Sequence, residues 1–259
     1  MTGFFDHVFV LTRRGMRDLI RVPAAFLPSM MVPLFFYLIY SAGIGPLAGR
    51  VGVAGLGNYH GVVLATILFL ATTNGSSAAG FSVVRDIDSG YFDKLMLTRA
   101  TAPALIVGRL CADGIRAAAA TSVILLVGVF TGAGLAAGPA GFVAIITLTT
   151  GWAIAWSGVA LTIALRTGSL DAVQLAFFVG FPMVFLSPAF GPRNLLGGWM
   201  STLSSWNPVT YLIEGARHLI LVGWDTEIWL RGVLAILLVG AVTLTLASRA
   251  LAGRVSTSR

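Results

Sequence analysis

Long apolar runs carry this chain, and its one dense cluster of charge lies between two of them. Six charged side chains, Arg85, Asp86, Asp88, Asp93, Lys94 and Arg99, fall within residues 85–99, and Lys94 is the only lysine. Ionised groups are costly in hydrocarbon, so charge gathered in this way marks a segment held in water between two membrane crossings. A short polar element in that position is where a membrane protein receives force or a signal from a soluble partner.

Composition extends the constraint to the whole chain. Hydrophobic residues make up 57% and charged residues only 10%, with a mean hydropathy of +0.90. A soluble domain carries about 25% charged residues. The expected class is therefore an all-α integral membrane protein. Its 259 residues suffice for about six helices of roughly 20 residues with short loops, and no separate soluble domain is expected. The net charge of +7 is read as orientation and contact with anionic headgroups, not as a nucleic-acid signal. The single cysteine, Cys111, excludes an intrachain disulfide framework and a cysteine-only metal site.

Residues 4–21 have the pattern of a helix lying flat in the headgroup region. Phe4, Phe5, Val8, Phe9, Leu11, Met16, Leu19 and Ile20 share one half of the helical wheel, and Asp6, His7, Arg13, Arg14, Arg17, Asp18 and Arg21 share the other. A signal peptide is not expected, because the basic residues follow the aromatic stretch and no cleavage pattern comes after them. Six spans are expected at 24–44, 60–83, 111–132, 139–165, 172–189 and 228–249. In the second, the small polar run Thr72–Gly80 suits close helix packing, with a substrate-lining role as the alternative. The third apolar stretch opens with Arg109, Asp113 and Arg116, spaced to pair on one face. That trio reads as a neutralised cluster at the membrane border or, more sharply, as a cytoplasmic gate. Pro182 predicts a kink in the fifth span.

Residues 190–227 are apolar but broken by Pro192, Gly197, Gly198 and Pro208, and carry Glu214, Arg217 and His218. A re-entrant or interfacial helical insert fits better there than a seventh span. Within it Asn207 is placed to cap a helix that Pro208 opens, and Glu214 is spaced to pair with Arg217. With six spans, one side collects Arg13, Arg14, Arg17, Arg21, Arg85, Lys94, Arg99, Arg166, Arg249, Arg254 and Arg259. The other side collects Arg50, Arg193, Arg217 and Arg231. The positive-inside rule then puts both termini and residues 85–99 in the cytoplasm.

Catalytic signatures are missing. No G-x-x-x-x-G-K-[ST] loop occurs to cradle a nucleotide. His7, His60 and His218 do not make a metal spacing, and no G-x-S-x-G elbow occurs. Acidic residues lie mostly at predicted membrane edges, which weakens a proton-driven secondary transporter or a membrane-embedded enzyme. Transport powered by another subunit is the economical alternative.

Three motifs then resemble one family. They are the order of elements (flat helix, six spans, broken insert before the last), the string Arg85-Asp86-x-x-x-Gly90-x-x-Asp93-x-Leu95 followed by Gly108-Arg109, and Asn207-Pro208-Val209-Thr210-Tyr211-x-x-Glu214-x-x-Arg217. Together they are similar to the type-2 ATP-binding-cassette (ABC) transporter permeases, nearest the daunorubicin-resistance type of efflux subunit. The family often has Glu where Asp86 and Asp93 stand. It usually has a proline just after the leucine-rich end of the cytoplasmic segment, and here the next is Pro103.

The resemblance implies a bacterial cytoplasmic-membrane exporter of two permease subunits, a homodimer more readily than a heterodimer, with two ATPase subunits that bind ATP and Mg. This chain would hold no cofactor or metal of its own. The segment 85–99 would contain a coupling helix. Tyr91, Phe92, Leu95, Met96 and Leu97 are its expected apolar anchors, Asp86, Asp88, Asp93 and Lys94 its charged rim, and Gly90 its turn. Asn207, Pro208, Tyr211, Glu214 and Arg217 would shape the extracytoplasmic end. An amphipathic cargo, a drug-like compound or lipid or alternatively a lipid-linked glycan, would pass between the copies. Trp152, Trp156, Phe177, Phe178, Phe181 and Phe185 are candidates for a greasy lining, against a core or lipid-facing role.

Overall fold

A helix that is apolar on every side is stable only in the interior, and α3 (Tyr59–Gly75) occupies the centre: every residue from Gly61 to Thr73 is buried. The structure, a computed structural model, describes residues 3–21, 23–51, 58–96, 102–189, 191, 193 and 196–257. Among the described residues all regular structure is helical. Packed on α3 are α2 (Pro23–Val51), α6 (Ala102–Gly128), α7 (Gly138–Thr167), α8 (Leu170–Phe185) and α10 (Pro208–Leu221); α11 (Thr226–Thr257) runs along α7.

Among the described residues four stretches are long and apolar enough to cross a membrane: Tyr59–Asp88, Pro103–Ala133, Gly138–Thr167 and Thr226–Arg254. Met30–Gly45 and Leu170–Phe185 are shorter apolar helices. The second expected span is not one helix. It breaks at Ser76–Ser77, and α4 (Ala78–Asp88) begins beyond the break, followed by the short α5 (Tyr91–Met96).

Small residues set the helix crossings, as expected where helices gain little from excluding water. The amphipathic α1 (Phe4–Arg21) lies on the first turns of α6. A Cβ at Gly108 would stand 2.6 Å from Leu11 Cβ, and Thr12 Oγ1 donates to the Gly108 carbonyl at 3.1 Å. Phe5 and Phe9 stay exposed on the outer side of α1. Between α7 and α11, a Cβ at Gly158 would stand 2.7 Å from Thr243 Oγ1, which donates to the Ala155 carbonyl at 2.6 Å.

Side-chain caps fix the ends. Asn58 Oδ1 accepts from the Gly61 amide at 3.3 Å, and its Nδ2 donates to the Ala133 carbonyl at 2.8 Å, beneath the wide final turn Val129–Ala133. The expected insert contains α9 (Gly198–Trp206) and α10, joined at Asn207. Residues 190, 192, 194 and 195 of that insert lie outside the described residues.

Candidate functional site

The charge cluster folds as a helix end, a turn and a second short helix. Gly90 has φ +66°, the left-handed conformation that glycine adopts without a Cβ penalty. It turns the chain from α4 into α5. Residues 97–101 and the side chains of Asp93 and Met96 lie outside the described residues, so the C-terminal end of the expected coupling segment, including Leu97 and Arg99, does too.

Asp86 is the hub. One oxygen accepts from Arg14 Nη2 of α1 at 2.7 Å and the other from Arg109 Nη2 of α6 at 2.6 Å. Charge-assisted bonds of this length are among the stronger polar contacts in proteins. Arg14 also lies over the Tyr91 ring, 4.1 Å from its centroid, and Arg109 reaches Ser82 Oγ at 3.2 Å. One carboxylate thereby ties α1, α4 and α6 together, and Arg14 adds α5.

Two expectations need correction here. Phe92 is not an exposed anchor. It is 3% exposed and packs into a buried cluster with Val83, Leu110, Leu161 and Leu251, with Arg254 of α11 lying 5.8 Å from its ring centroid. An aromatic ring on a short helix gains most by burial in its own bundle. Asp86 likewise belongs to an internal bridge and not to a solvent-facing rim. Asp88 and Lys94 are exposed, Tyr91 is 36% exposed, and Leu95 and Gly90 are half-buried. The outward face of this element is thus made of Asp88, Ser89, Tyr91 and Lys94.

The trio Arg109, Asp113 and Arg116 divides in two. Arg109 pairs with Asp86 and leaves Asp113 to Arg116, which it meets at 2.6 Å. The two pairs lie in succession along α6 and grip α4 near each end.

The insert is braced by different partners from those expected. Asn207 caps α10, its Oδ1 accepting from the Val209 amide at 3.0 Å, and its Nδ2 donates to the Met183 carbonyl of α8. Glu214 pairs with Arg193, Nε to Oε1 at 3.1 Å, and not with Arg217. Arg217 instead donates to the backbone carbonyls of Pro188, Ala189 and Gly191. A planar guanidinium with five donors serves three carbonyls in a way no other side chain matches. Burial pushes Arg217 down to about 10, opposed by the nearby Glu214 carboxylate, so it remains a cation at neutral pH. Tyr211 donates its hydroxyl to the Ser205 carbonyl at 2.8 Å, and Arg193 lies 5.2 Å from its ring centroid.

The aromatic candidates also separate. Trp152 and Trp156 are stacked core residues, 5.4 Å apart, with Trp152 Nε1 donating to Thr73 Oγ1 at 2.8 Å. Both are buried. Phe177, Phe178, Phe181 and Phe185 form a continuous ladder on α8, and Phe178 and Phe181 are exposed. Arg14, Arg254, Arg193 and Ser157 escaped the sequence reading because each acts on a residue far away in the chain. Among the described residues no group of His, Cys, Asp and Glu could hold a metal ion.

Comparison with known proteins gives one consistent result. The family described as ABC-2 type transporter matches residues 6–221. A protein of Cyanophora paradoxa named as a transport permease, ycf38, is 24% identical over 229 residues, covering 85% of this chain and 76% of that one. The daunorubicin resistance ABC transporter permease protein of Streptomyces coeruleorubidus is 23% identical over 209 residues, covering 80% of this chain and 72% of its own. A ycf38 protein of Porphyra purpurea is 33% identical over 52 residues, 20% of this chain and 18% of that one.

Proposed function

This chain belongs to the ABC-2 type transporter family, and from that premise we propose that it is the membrane-spanning subunit of an exporter driven by a separate ATPase. Members of the family work with an ATPase subunit, and the apolar helices make this a multi-pass membrane protein. In the proposed arrangement the whole chain is one permease domain with six crossings in a bacterial cytoplasmic membrane. Both termini and α5 face the cytoplasm, and the insert containing α9 and α10 faces outward. The asymmetric distribution of arginine supports this orientation.

Two copies of the chain would join two ATPase subunits, which bind ATP and Mg. The exposed apolar faces of α2 (Met31, Phe35, Ile39) and α8 (Leu175, Phe178, Val179) support contacts with a second copy, with lipid and with cargo. The cargo is an amphipathic or hydrophobic compound taken from the cytoplasm or the inner leaflet. The relative from Streptomyces is named for daunorubicin resistance, which supports outward transport and a drug-like cargo.

The observation that carries the reading is the mounting of α5. Together with Asp88 at the end of α4 it presents Tyr91 and Lys94 outward, while Phe92 fixes it in the core and Arg14 lies over the Tyr91 ring. Arg14 shares Asp86 with Arg109, so a push on α5 reaches α1, α4 and α6 through contacts already formed. Arg254 extends the path to α11. A loose solvated loop needs no such brace.

The test is co-expression with the cognate ATPase. The two are expected to co-purify, and the chain alone is expected to hydrolyse no ATP. Lys94→Glu is expected to lower stimulation of the ATPase at least 5-fold while membrane insertion is retained. ATP hydrolysis by the isolated chain, or full stimulation by the variant, overturns the reading.

A further inference from the structure

The backbone hydrogen-bond ladder through α3 and α4 is interrupted by side chains of another helix. In an unbroken helix the Ala79 amide donates to the Gly75 carbonyl, four residues earlier. Here the Ala79 amide donates to Asp113 Oδ2 at 3.2 Å, and the Gly75 carbonyl accepts from Arg116 Nη2 at 2.5 Å. Asp113 and Arg116 are themselves paired at 2.6 Å. One backbone bond is therefore replaced by a relay of carbonyl, guanidinium, carboxylate and amide that runs from α3 to α4 by way of α6. Ser157 of α7 completes it: its Oγ lies 3.1 Å from the Ser76 carbonyl oxygen and 2.8 Å from Asp113 Oδ2. Side chains inserted into the ladder are a known cause of helix bends.

The polarity of the pair matters as much as its presence. The last turn of a helix carries partial negative charge and the first turn partial positive charge. Arg116 stands at the carbonyl end of α3 and Asp113 at the amide end of α4. An ion pair present only to neutralise itself would need no such alignment. The side chains are 15% and 5% exposed, so water does not substitute for either.

We propose that Asp113, Arg116 and Ser157 are positioning residues that hold a hinge at Ser76–Ser77, and so set the direction in which α4 presents α5. Both states of the hinge satisfy the backbone. With the relay engaged, Ala79 and Gly75 bond to side chains; with it displaced, they bond to each other and the helix straightens. The surrounding residues leave little slack, since a Cβ at Gly80 would stand 2.8 Å from the Ala160 carbonyl oxygen. The 11 residues of α4 make a lever of about 16 Å, and a change of about 10° at the joint moves its far end by about 3 Å. The consequence for ATP use rests on α5 being the ATPase contact; the hinge itself does not.

The test places spin labels at Ser89, beyond α4, and at Thr167, the exposed last residue of α7 at the same end of the bundle, in the full-length chain with Cys111→Ser in lipid nanodiscs. The informative variant is the charge-reversed double substitution Asp113→Arg with Arg116→Asp. It keeps a salt bridge but sets a carboxylate against the Gly75 carbonyl and a guanidinium against the Ala79 amide. The distance between labels is expected to shift by about 3 Å or to split into two populations. Ser157→Ala, a milder change, is expected to broaden the distribution in the same direction. An unchanged distance in the reversed variant overturns the hinge. Should that variant not fold, an unchanged distribution in Ser157→Ala overturns it. A distance that moves while Lys94→Glu leaves ATPase stimulation intact overturns the functional reading and spares the hinge. The opposite pair of results does the reverse.

Discussion

Removing the Asp86 carboxylate takes the paired anion from two arginines in unequal surroundings, and the inequality allows a quantitative test. The Arg109 side chain is 10% exposed and that of Arg14 is 40% exposed. Breaking a buried pair by deleting one partner costs about 3–5 kcal/mol, because the other charge is left without compensation. A pair as open as Arg14 with Asp86 contributes about 0.2–1 kcal/mol, and the stacking of Arg14 on Tyr91 adds about 0.5–1 kcal/mol.

Asp86→Ala is therefore expected to destabilise the chain by about 3–4 kcal/mol, Arg109→Ala by about 2–3 kcal/mol and Arg14→Ala by roughly 1–2 kcal/mol. The double variant Asp86→Ala with Arg109→Ala leaves no buried arginine without its carboxylate, because only the more exposed Arg14 then lacks Asp86. It is expected to fall short of the sum of its parts by about 2–3 kcal/mol. The assay is reversible denaturant unfolding of the chain in mixed micelles, run as a double-mutant cycle at low and high salt. Only the Arg14 contribution is expected to weaken at 1 M salt, where the screening length is about 3 Å. Additivity within about 0.5 kcal/mol, or a loss from Arg14→Ala as large as that from Arg109→Ala, refutes the hub.

Gly108→Leu drives a side chain into Leu11, and overpacking of this kind costs about 1–3 kcal/mol; faster tryptic cleavage at Arg13 and Arg17 in nanodiscs is the expected sign that α1 has lifted from α6. Arg217→Ala removes donors from three backbone carbonyls and is expected to cost about 2–4 kcal/mol, whereas Glu214→Ala, which loses a half-exposed pair, costs about 1 kcal/mol or less. Equal losses in the same unfolding assay contradict the bracing described for the insert. Asn207→Ala removes a cap and is expected to cost about 1 kcal/mol.

Features that depend on neighbours in sequence could be read directly. Apolar blocks marked the membrane helices, the two-faced pattern of residues 4–21 marked α1, and Asn207-Pro208 marked the start of α10. The pairing of Asp113 with Arg116 followed from three-residue spacing. Features that depend on helix register could not be read. Arg109 had Asp113 nearby in sequence and took Asp86; Glu214 had Arg217 nearby and took Arg193. Spacing permits a pair, but a second helix decides whether a better partner is closer. The inward turn of Phe92 has the same origin, since burial on a six-residue helix depends on which side meets α4, α6, α7 and α11. The break at Ser76–Ser77 was hidden because its cause lies in α6 and α7, more than thirty residues downstream.

The most direct measurement is photo-cross-linking from α5 in the complex with the cognate ATPase. A photoreactive side chain at Tyr91 or Lys94 of α5, or at Asp88 at the adjoining end of α4, all outward, is expected to capture the ATPase, and the same group at Ala136, in the exposed turn before α7, is expected to capture none. Failure at all three positions, or equal capture from Ala136, would contradict the claim that ATP-driven force enters this chain through α5.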